Sequence, residues 1–92
     1  MTAPARYFRK KLVVAPREAL VGGGPAEELE RTIQSHLAGG RRHIVVDLRA
    51  VPHLDSAGIR ALVRGHTSAE RLEGRLTIVG ANLPSAILSK LL

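Results

Sequence analysis

An imidazole, a carboxylate and a hydroxyl occur within one short stretch, at His53, Asp55 and Ser56. The Asp55-Ser56 pair stands between an apolar run typical of a buried strand and a periodic segment typical of a helix. In open α/β sheets this junction, at the carboxyl ends of the strands, is where ligands and partners bind. Free backbone N–H groups from Ala57 and Gly58 onward, with the helix dipole, predict an anion site that would tolerate a phosphate on Ser56. Gly58 is expected to let another chain approach closely.

The same residues have two simpler interpretations. In the first, Asp55 or Ser56 is merely the helix N-cap, a role worth about 1 kcal/mol, and Gly58 is present for packing. Capping residues are commoner than sites, so these residues alone favour the cap. His53, Asp55 and Ser56 also have the residue types of a hydrolase triad. Neighbours in a tight loop cannot easily align as nucleophile, base and orienting group, and no Gly-x-Ser-x-Gly motif is present, so we expect no enzyme activity.

Other segments give weaker signals for chemistry. The run Gly22-Gly23-Gly24-Pro25 has no following Lys-Ser or Lys-Thr, so it is interpreted as a turn and not as a phosphate-binding loop. The sequence contains no cysteine, which excludes disulfides, thiolate metal sites and a Cys nucleophile. The four histidines show no metal-ligand spacing; they are His36, His43, His53 and His66. We expect neither a cofactor nor a metal.

The first half of the chain supplies one strand region and one helix. Phe8 to Val14 is rich in β-branched and apolar residues and predicts a strand that a turn at Ala15-Pro16 closes. A short second strand is predicted at Ala19 to Val21. Pro25 suits the first position of a helix, and Gly39-Gly40 supplies its end. The apolar face of this helix is predicted to be Ala26, Leu29, Ile33 and Leu37.

The second half alternates strand and helix around the Asp-Ser pair. His43 to Leu48 predicts a central strand covered on both faces. Ser56 opens a helix that ends near Arg71 and whose apolar face carries Ile59, Leu62 and Val63. Arg75 to Val79 predicts the next strand, so this unit is a βαβ crossover with parallel strands. A third helix is predicted from Ser85 to Leu92, after Pro84.

Composition and charge limit the class of protein. Ninety-two residues make one domain, and the only aromatic residues are Tyr7 and Phe8. No stretch approaches the roughly 20 apolar residues that span a membrane, and the apolar run at Leu12 to Ala15 is too short for a signal peptide, so we expect a soluble cytoplasmic protein without a membrane partner.

The net charge of +6 is concentrated before residue 19 and between residues 41 and 64. Such charge attracts nucleic acid, anionic lipid or an acidic protein, or only keeps a small domain soluble. Arg41-Arg42 and Arg60-Arg64 could bind the phosphates of a nucleic acid. Tyr7 and Phe8 are the only rings and offer no platform for stacking bases, which makes a nucleic-acid partner the weaker interpretation. Arg60 and Arg64 lie one turn apart on the helix that Ser56 opens, and we expect them to face an acidic partner.

The segment IVVDLRAVPHLDSAGIRALV, with its Asp-Ser-x-Gly motif and the later Arg-Leu-Thr-Ile-Val-Gly strand, resembles the STAS domain of bacterial anti-sigma factor antagonists. The similarity runs from about Lys11 to Leu92. It implies a single domain over residues 1–92 with an α/β, STAS-like (SpoIIAA-like) fold: a mixed sheet with a parallel βαβ core and helices packed on it. We expect the family's C-terminal strand and helix to be missing, which would end the sheet early or expose an edge.

The resemblance also implies a function in transcription regulation. In that family the serine after the aspartate, here Ser56, is phosphorylated by an anti-sigma factor that is also a serine kinase. The unphosphorylated antagonist binds the kinase and frees the sigma factor, and a phosphatase resets the phosphorylated form. The expected partner-binding residues are His53, Asp55, Ser56, Ala57, Gly58, Arg60 and Arg64. The alternatives are a STAS-like adaptor in another signalling assembly, with Ser56 as a structural cap, and a basic nucleic-acid-binding domain.

Overall fold

The structure is a computed structural model that describes residues 5–8 and 11–80. Its elements follow one another in the order β1 (Ala5–Phe8), β2 (Lys11–Val14), α1 (Pro25–Ala38), β3 (His43–Asp47), α2 (Ser56–Arg71) and β4 (Arg75–Val79). None of the helices among the described residues is long and apolar enough to cross a membrane. The third helix predicted at Ser85–Leu92 lies outside the described residues.

The four strands form one mixed sheet in the order β1-β2-β3-β4. Strands β1 and β2 are antiparallel, whereas β2, β3 and β4 run parallel. The predicted βαβ unit is therefore confirmed, with α2 connecting β3 to β4. Leu12 pairs with Ile44, and Ile44 pairs with Leu76. Because side chains alternate along a strand, these three paired residues lie on the same face of the sheet.

Both helices cover this one face of the sheet. The prediction that β3 is covered on both faces is therefore wrong for the described helices, and Val45, on the other face, is only partly buried. The buried core joins side chains of α1 and α2 with the alternating residues of β2, β3 and β4. Its largest members include Leu29 and Ile33 from α1 and Leu62 from α2, each almost completely buried. The predicted apolar face of α1 is confirmed, since all four of its residues are buried. Pro25 stands at the start of α1 and Gly39 caps its end, as the sequence predicts.

Three further sequence predictions about the elements are wrong in detail. The strand predicted from Phe8 to Val14 is the second half of a hairpin whose first strand ends at Phe8. The strand predicted at Ala19 to Val21 is a single bridge between Leu20 and Leu54. No glycine, asparagine or proline marks the reversal after Phe8, so the sequence lacks the usual hairpin signal.

The third correction concerns the face that α2 buries. Ile59 and Val63 are only partly buried, and the buried side consists mostly of small residues: Gly58, Ala61, Leu62, Gly65 and Ala69. A Cβ atom on Gly65 would lie 3.0 Å from Ile33 Cδ1 and 3.2 Å from Leu76 Cδ1. Small residues face inward because α2 packs closely against both α1 and β4, and the larger residues flank this contact.

Candidate functional site

The junction between β3 and α2 lies where the sequence predicts it. Strand β3 ends at Asp47, and Ser56 is the first residue of α2. Ser56 is exposed, and its hydroxyl makes no hydrogen bond to any residue that the structure describes. The oxygen is therefore open to a modifying enzyme. It is also free of the local bonds that serine hydroxyls commonly make at helix ends.

Asp55 is the N-cap of α2. Its Oδ1 accepts hydrogen bonds from the backbone N–H of Ala57 at 2.9 Å and of Gly58 at 3.1 Å. Its Oδ2 accepts a third from the N–H of Gly22 at 3.2 Å. The hydrogen bonds from Gly22 and then Gly58 lower the pKa of Asp55 below its usual value, since these donors favour the charged form. Asp55 is thus ionised at neutral pH.

This arrangement corrects the predicted anion site. The N–H groups of Ala57 and Gly58, which the sequence suggested were free, already donate to the Asp55 carboxylate. A carboxylate at the first turn also offsets the positive end of the helix dipole. A phosphate on Ser56 would therefore lie beside a negative charge, without those two donors. Asp55, and not Ser56, is the structural cap.

The loop that carries Ser56 is fastened to a segment more than thirty residues earlier. The N–H of Leu20 donates to the carbonyl of His53 at 3.0 Å, and the N–H of Asp55 donates to the carbonyl of Leu20 at 3.2 Å. The Leu20 side chain is itself buried in the core. These two bonds fix the loop before α2 to the segment between β2 and α1.

Gly58 has a structural reason to lack a side chain. A Cβ atom at this position would collide with the backbone carbonyl of Leu20. The sequence predicts that Gly58 allows close approach of another chain. In the structure, the segment that approaches it is Leu20 of the same chain. Gly58 is buried, and any contact it makes with a partner would be at its margin.

The turn of glycines lies beside the site, although the sequence suggested only a plain turn. A Cβ atom on Gly22 would be 3.4 Å from the Cβ atom of Ala57. Gly23 and Gly24 have φ angles of 88° and 154°, which L side chains rarely adopt. The amide of Gly24 donates to Glu27 Oε1 at 2.7 Å, which ties the turn to α1. The only sequence signal for this part of the site was the run of three glycines, and a glycine run does not indicate which residues pack against it.

Ser56, Arg60 and Arg64 form an exposed stripe along α2, which we call the Ser56 face. They are spaced four residues apart, so each is one turn from the next. Arg60 makes no ion pair with a described residue. Arg64 Nη1 lies 3.5 Å from Glu30 Oε1 of α1, an exposed contact of little energetic weight. His53 is exposed before the helix, and it contributes its carbonyl to the Leu20 contact.

The geometry does not assemble a triad. The Asp55 carboxylate accepts hydrogen bonds from backbone N–H groups and from no imidazole of a described histidine, so it orients none of them. Among the described residues, no group of three or more His, Asp or Glu side chains is arranged to hold a metal ion. The chemistry available at the junction is that of an exposed hydroxyl next to an ionised carboxylate.

The fold and this junction define an α/β domain that presents a serine at the amino end of a helix. A family model of the STAS domain matches residues 11–88, and the chain belongs to this family. A search among curated proteins found no match.

Solved structures agree on the fold. A candidate anti-sigma factor antagonist from Thermotoga maritima is similar with a TM-score of 0.82 and 20% identity, over 95% of this chain and 75% of that one. The anti-sigma factor antagonist SpoIIAA in its unphosphorylated form has a TM-score of 0.76 and 16% identity, over 96% and 80% of the two chains. A protein described as Mglu has a TM-score of 0.73 and 18% identity over 86% of this chain, which spans only 19% of that protein.

Proposed function

We propose that this protein is an anti-sigma factor antagonist in which phosphorylation of Ser56 controls binding. It docks on an anti-sigma factor with serine kinase activity, through the loop His53–Gly58 and the Ser56 face, and thereby releases the sigma factor. A phosphatase returns the phosphorylated form to the binding state, and these reactions take place in the cytoplasm. The observation that carries the proposal is the exposed, unbonded hydroxyl of Ser56 at the start of α2.

Two further findings support this function. The chain belongs to the STAS family, and two of the similar structures are described as antagonists of anti-sigma factors. One of them is described in its unphosphorylated form, which is in line with a switch by phosphorylation. The competing role of Ser56 as a structural cap is weakened, because Asp55 already supplies the cap.

The switch follows from charge and hydration. A neutral hydroxyl can be buried at an interface at small cost, whereas a phosphoserine brings a charge of about −1.5 to −2. At Ser56 that charge would stand beside the ionised Asp55, whose carboxylate occupies the N–H groups of Ala57 and Gly58. The phosphate must then be solvated mainly by water, and docking a partner over it would remove that water. Phosphorylation therefore opposes association.

Arg60 adds a second effect. It lies one turn after Ser56 and has no ion pair with a described residue, so it is available to a carboxylate of the partner. A phosphate on Ser56 would attract the same guanidinium, because side chains at i and i+4 are neighbours on a helix. Phosphorylation would thus both add negative charge to the interface and withdraw one of its cations.

The test is phosphorylation and binding with a purified anti-sigma factor kinase and ATP. We expect one phosphate per chain, assigned to Ser56 by peptide mass spectrometry, and no incorporation in Ser56→Ala. Ser35→Ala is the matched control, since Ser35 is also an exposed helical serine but lies on α1. Ser56→Asp should keep the helical circular dichroism spectrum and lose kinase binding. Undiminished labelling of Ser56→Ala, or undiminished binding by Ser56→Asp, would refute the switch.

A further inference from the structure

The sheet face that α1 and α2 leave uncovered carries a row of basic residues at its amino edge. Lys11, His43 and Arg75 are the first residues of β2, β3 and β4, and all three are exposed. His43 pairs directly with Arg75, and Lys11 precedes the pair of Leu12 with Ile44. The three side chains therefore lie side by side on adjacent strands. We call them the basic row.

Apolar residues border the basic row on the same face. Two positions further along the strands, the register aligns Val13 with Val45 and Val45 with Thr77. Val13 and Val45 are partly exposed, and Thr77 is exposed. Val79, the next residue of β4 on this face, is also an exposed large hydrophobic residue. The face thus joins two cations, Lys11 and Arg75, with the His43 imidazole between them, to a strip of β-branched side chains.

The charge of the basic row is not compensated from within the described residues. Lys11, His43 and Arg75 make no ion pair there. Asp47, at the opposite end of this face, has Arg49 Nη2 2.7 Å from its Oδ2. Glu73 is exposed in the turn before β4 and is likewise unpaired within the described part of the chain. Residues 81–92 contain one lysine and no Asp or Glu, so they have no carboxylate side chain to offer.

We propose that this outer face of the sheet is a second docking surface, which binds an acidic amphipathic helix of a protein partner. Adjacent strands are about 4.8 Å apart, so the basic row spans about 10 Å. Carboxylates at positions i, i+4 and i+7 of a helix span a similar distance, at 1.5 Å per residue. A helix lying across the strands can set these carboxylates on the basic row and its neighbouring apolar residues on Val13 and Val45.

A protein helix fits this face better than a nucleic acid does. Binding of single strands relies on several aromatic side chains for stacking successive bases, and β2, β3 and β4 contain no aromatic residue. Phe8 of β1, which pairs with Lys11, is a single aromatic residue at the margin of this face. Tyr7 is exposed, but it pairs with Leu12 and so lies on the face that the helices cover. Its ring is also occupied by the guanidinium of Arg41, 4.9 Å from the ring centroid. The valines add apolar contact that a phosphate backbone would not use.

The test uses a synthetic helical peptide of about 15 residues with Glu at i, i+4 and i+7 and Leu on the adjacent stripe. Its binding is measured by fluorescence anisotropy at low ionic strength, beside a twin peptide with Gln for each Glu and an oligouridylate of equal length. We expect saturable binding of the Glu peptide with at least ten-fold weaker binding of the Gln twin, because the carboxylates supply the recognition.

Variants of the chain assign this binding to the outer face. Lys11→Gln with Arg75→Gln should weaken binding about three- to ten-fold, since each exposed ion pair is worth only a few-fold. Val45→Thr should weaken it further while keeping a β-branched residue in β3. Arg31→Gln, an equal charge loss on α1, should leave binding unchanged, as should Ser56→Asp, which tests the proposed switch separately. Equal binding of the two peptides, no effect of the double variant, or tighter binding of the oligouridylate would overturn the proposal.

Discussion

Gly58→Ala is expected to destabilise the domain although alanine is the better helix former. In an exposed helix the change would gain about 1 kcal/mol. Here the added Cβ atom meets the backbone carbonyl of Leu20, which cannot rotate away as a side chain can. Overpacking of this kind costs about 3 kcal/mol at the upper end of its range. The net effect is a loss of about 2 kcal/mol.

The same magnitude follows if the segment around Leu20 moves to relieve the collision. It would then give up its hydrogen bonds to His53 and Asp55, each worth about 1 kcal/mol, with some core packing in addition. For a domain of this size, a loss of about 2 kcal/mol lowers the melting temperature by about 8 to 16 °C. Thermal and urea unfolding followed by circular dichroism at 222 nm measure both quantities.

Gly65→Ala is the matched control, because it makes the same change in the same helix. Its Cβ atom would meet the methyl ends of Ile33 and Leu76 at 3.0 and 3.2 Å, and these flexible groups can give way. We expect a change in stability within about 1 kcal/mol of zero, since the helix propensity gained offsets the crowding. A Gly58→Ala variant as stable as the wild type, or one that loses no more than Gly65→Ala, would show the reasoning about Leu20 to be wrong.

Two more predictions concern charge at the junction. The pKa of Asp55 is lower in the folded chain, so its carboxylate stabilises the fold above about pH 4 and this contribution is lost as the pH falls further. Asp55→Asn should therefore lower the urea midpoint at pH 7 and approach the wild-type midpoint at pH 3; an equal deficit at both values would contradict this. Arg60→Gln should slow association with the kinase about two- to five-fold at low salt, whereas Arg64→Gln, whose charge already has Glu30 3.5 Å away, should have a smaller effect. Stopped-flow binding measures both rates, and a larger effect of Arg64→Gln would contradict the assignment.

The elements that the sequence predicted well are those with local boundary signals. Helix α1 has Pro25 at its start, Gly39 at its end and one apolar face, all read from neighbouring residues. The start of α2 at Ser56 and the strand Arg75–Val79 could be predicted equally well. An Asp-Ser pair marks the start of the helix, and a glycine precedes the strand. The hairpin was missed because its reversal after Phe8 carries no turn signature.

The candidate site was predicted in position but not in its bonding. The exposure of Ser56 and its place at the helix start follow from local pattern. The hydrogen bond from Gly22 to Asp55 joins residues 33 apart, and the contact of Leu20 with Gly58 spans a similar separation. Such contacts depend on how the sheet brings distant loops together, and no local pattern specifies them. The inward face of α2 was misjudged for the same reason, since its small residues are explained by the closeness of Leu20, α1 and β4.

The hydrogen bonds of Leu20 to His53 and Asp55 make the shape of the loop that carries Ser56 depend on the segment between β2 and α1. Cleavage of the chain between β2 and α1 would weaken the attachment of Leu20 to His53 and Asp55, while every residue from His53 to Gly58 would stay in place. A kinase that reads the shape of this loop would then ignore damaged or incompletely folded copies. The proposed switch would in this way act on chains in which the segment between β2 and α1 is intact.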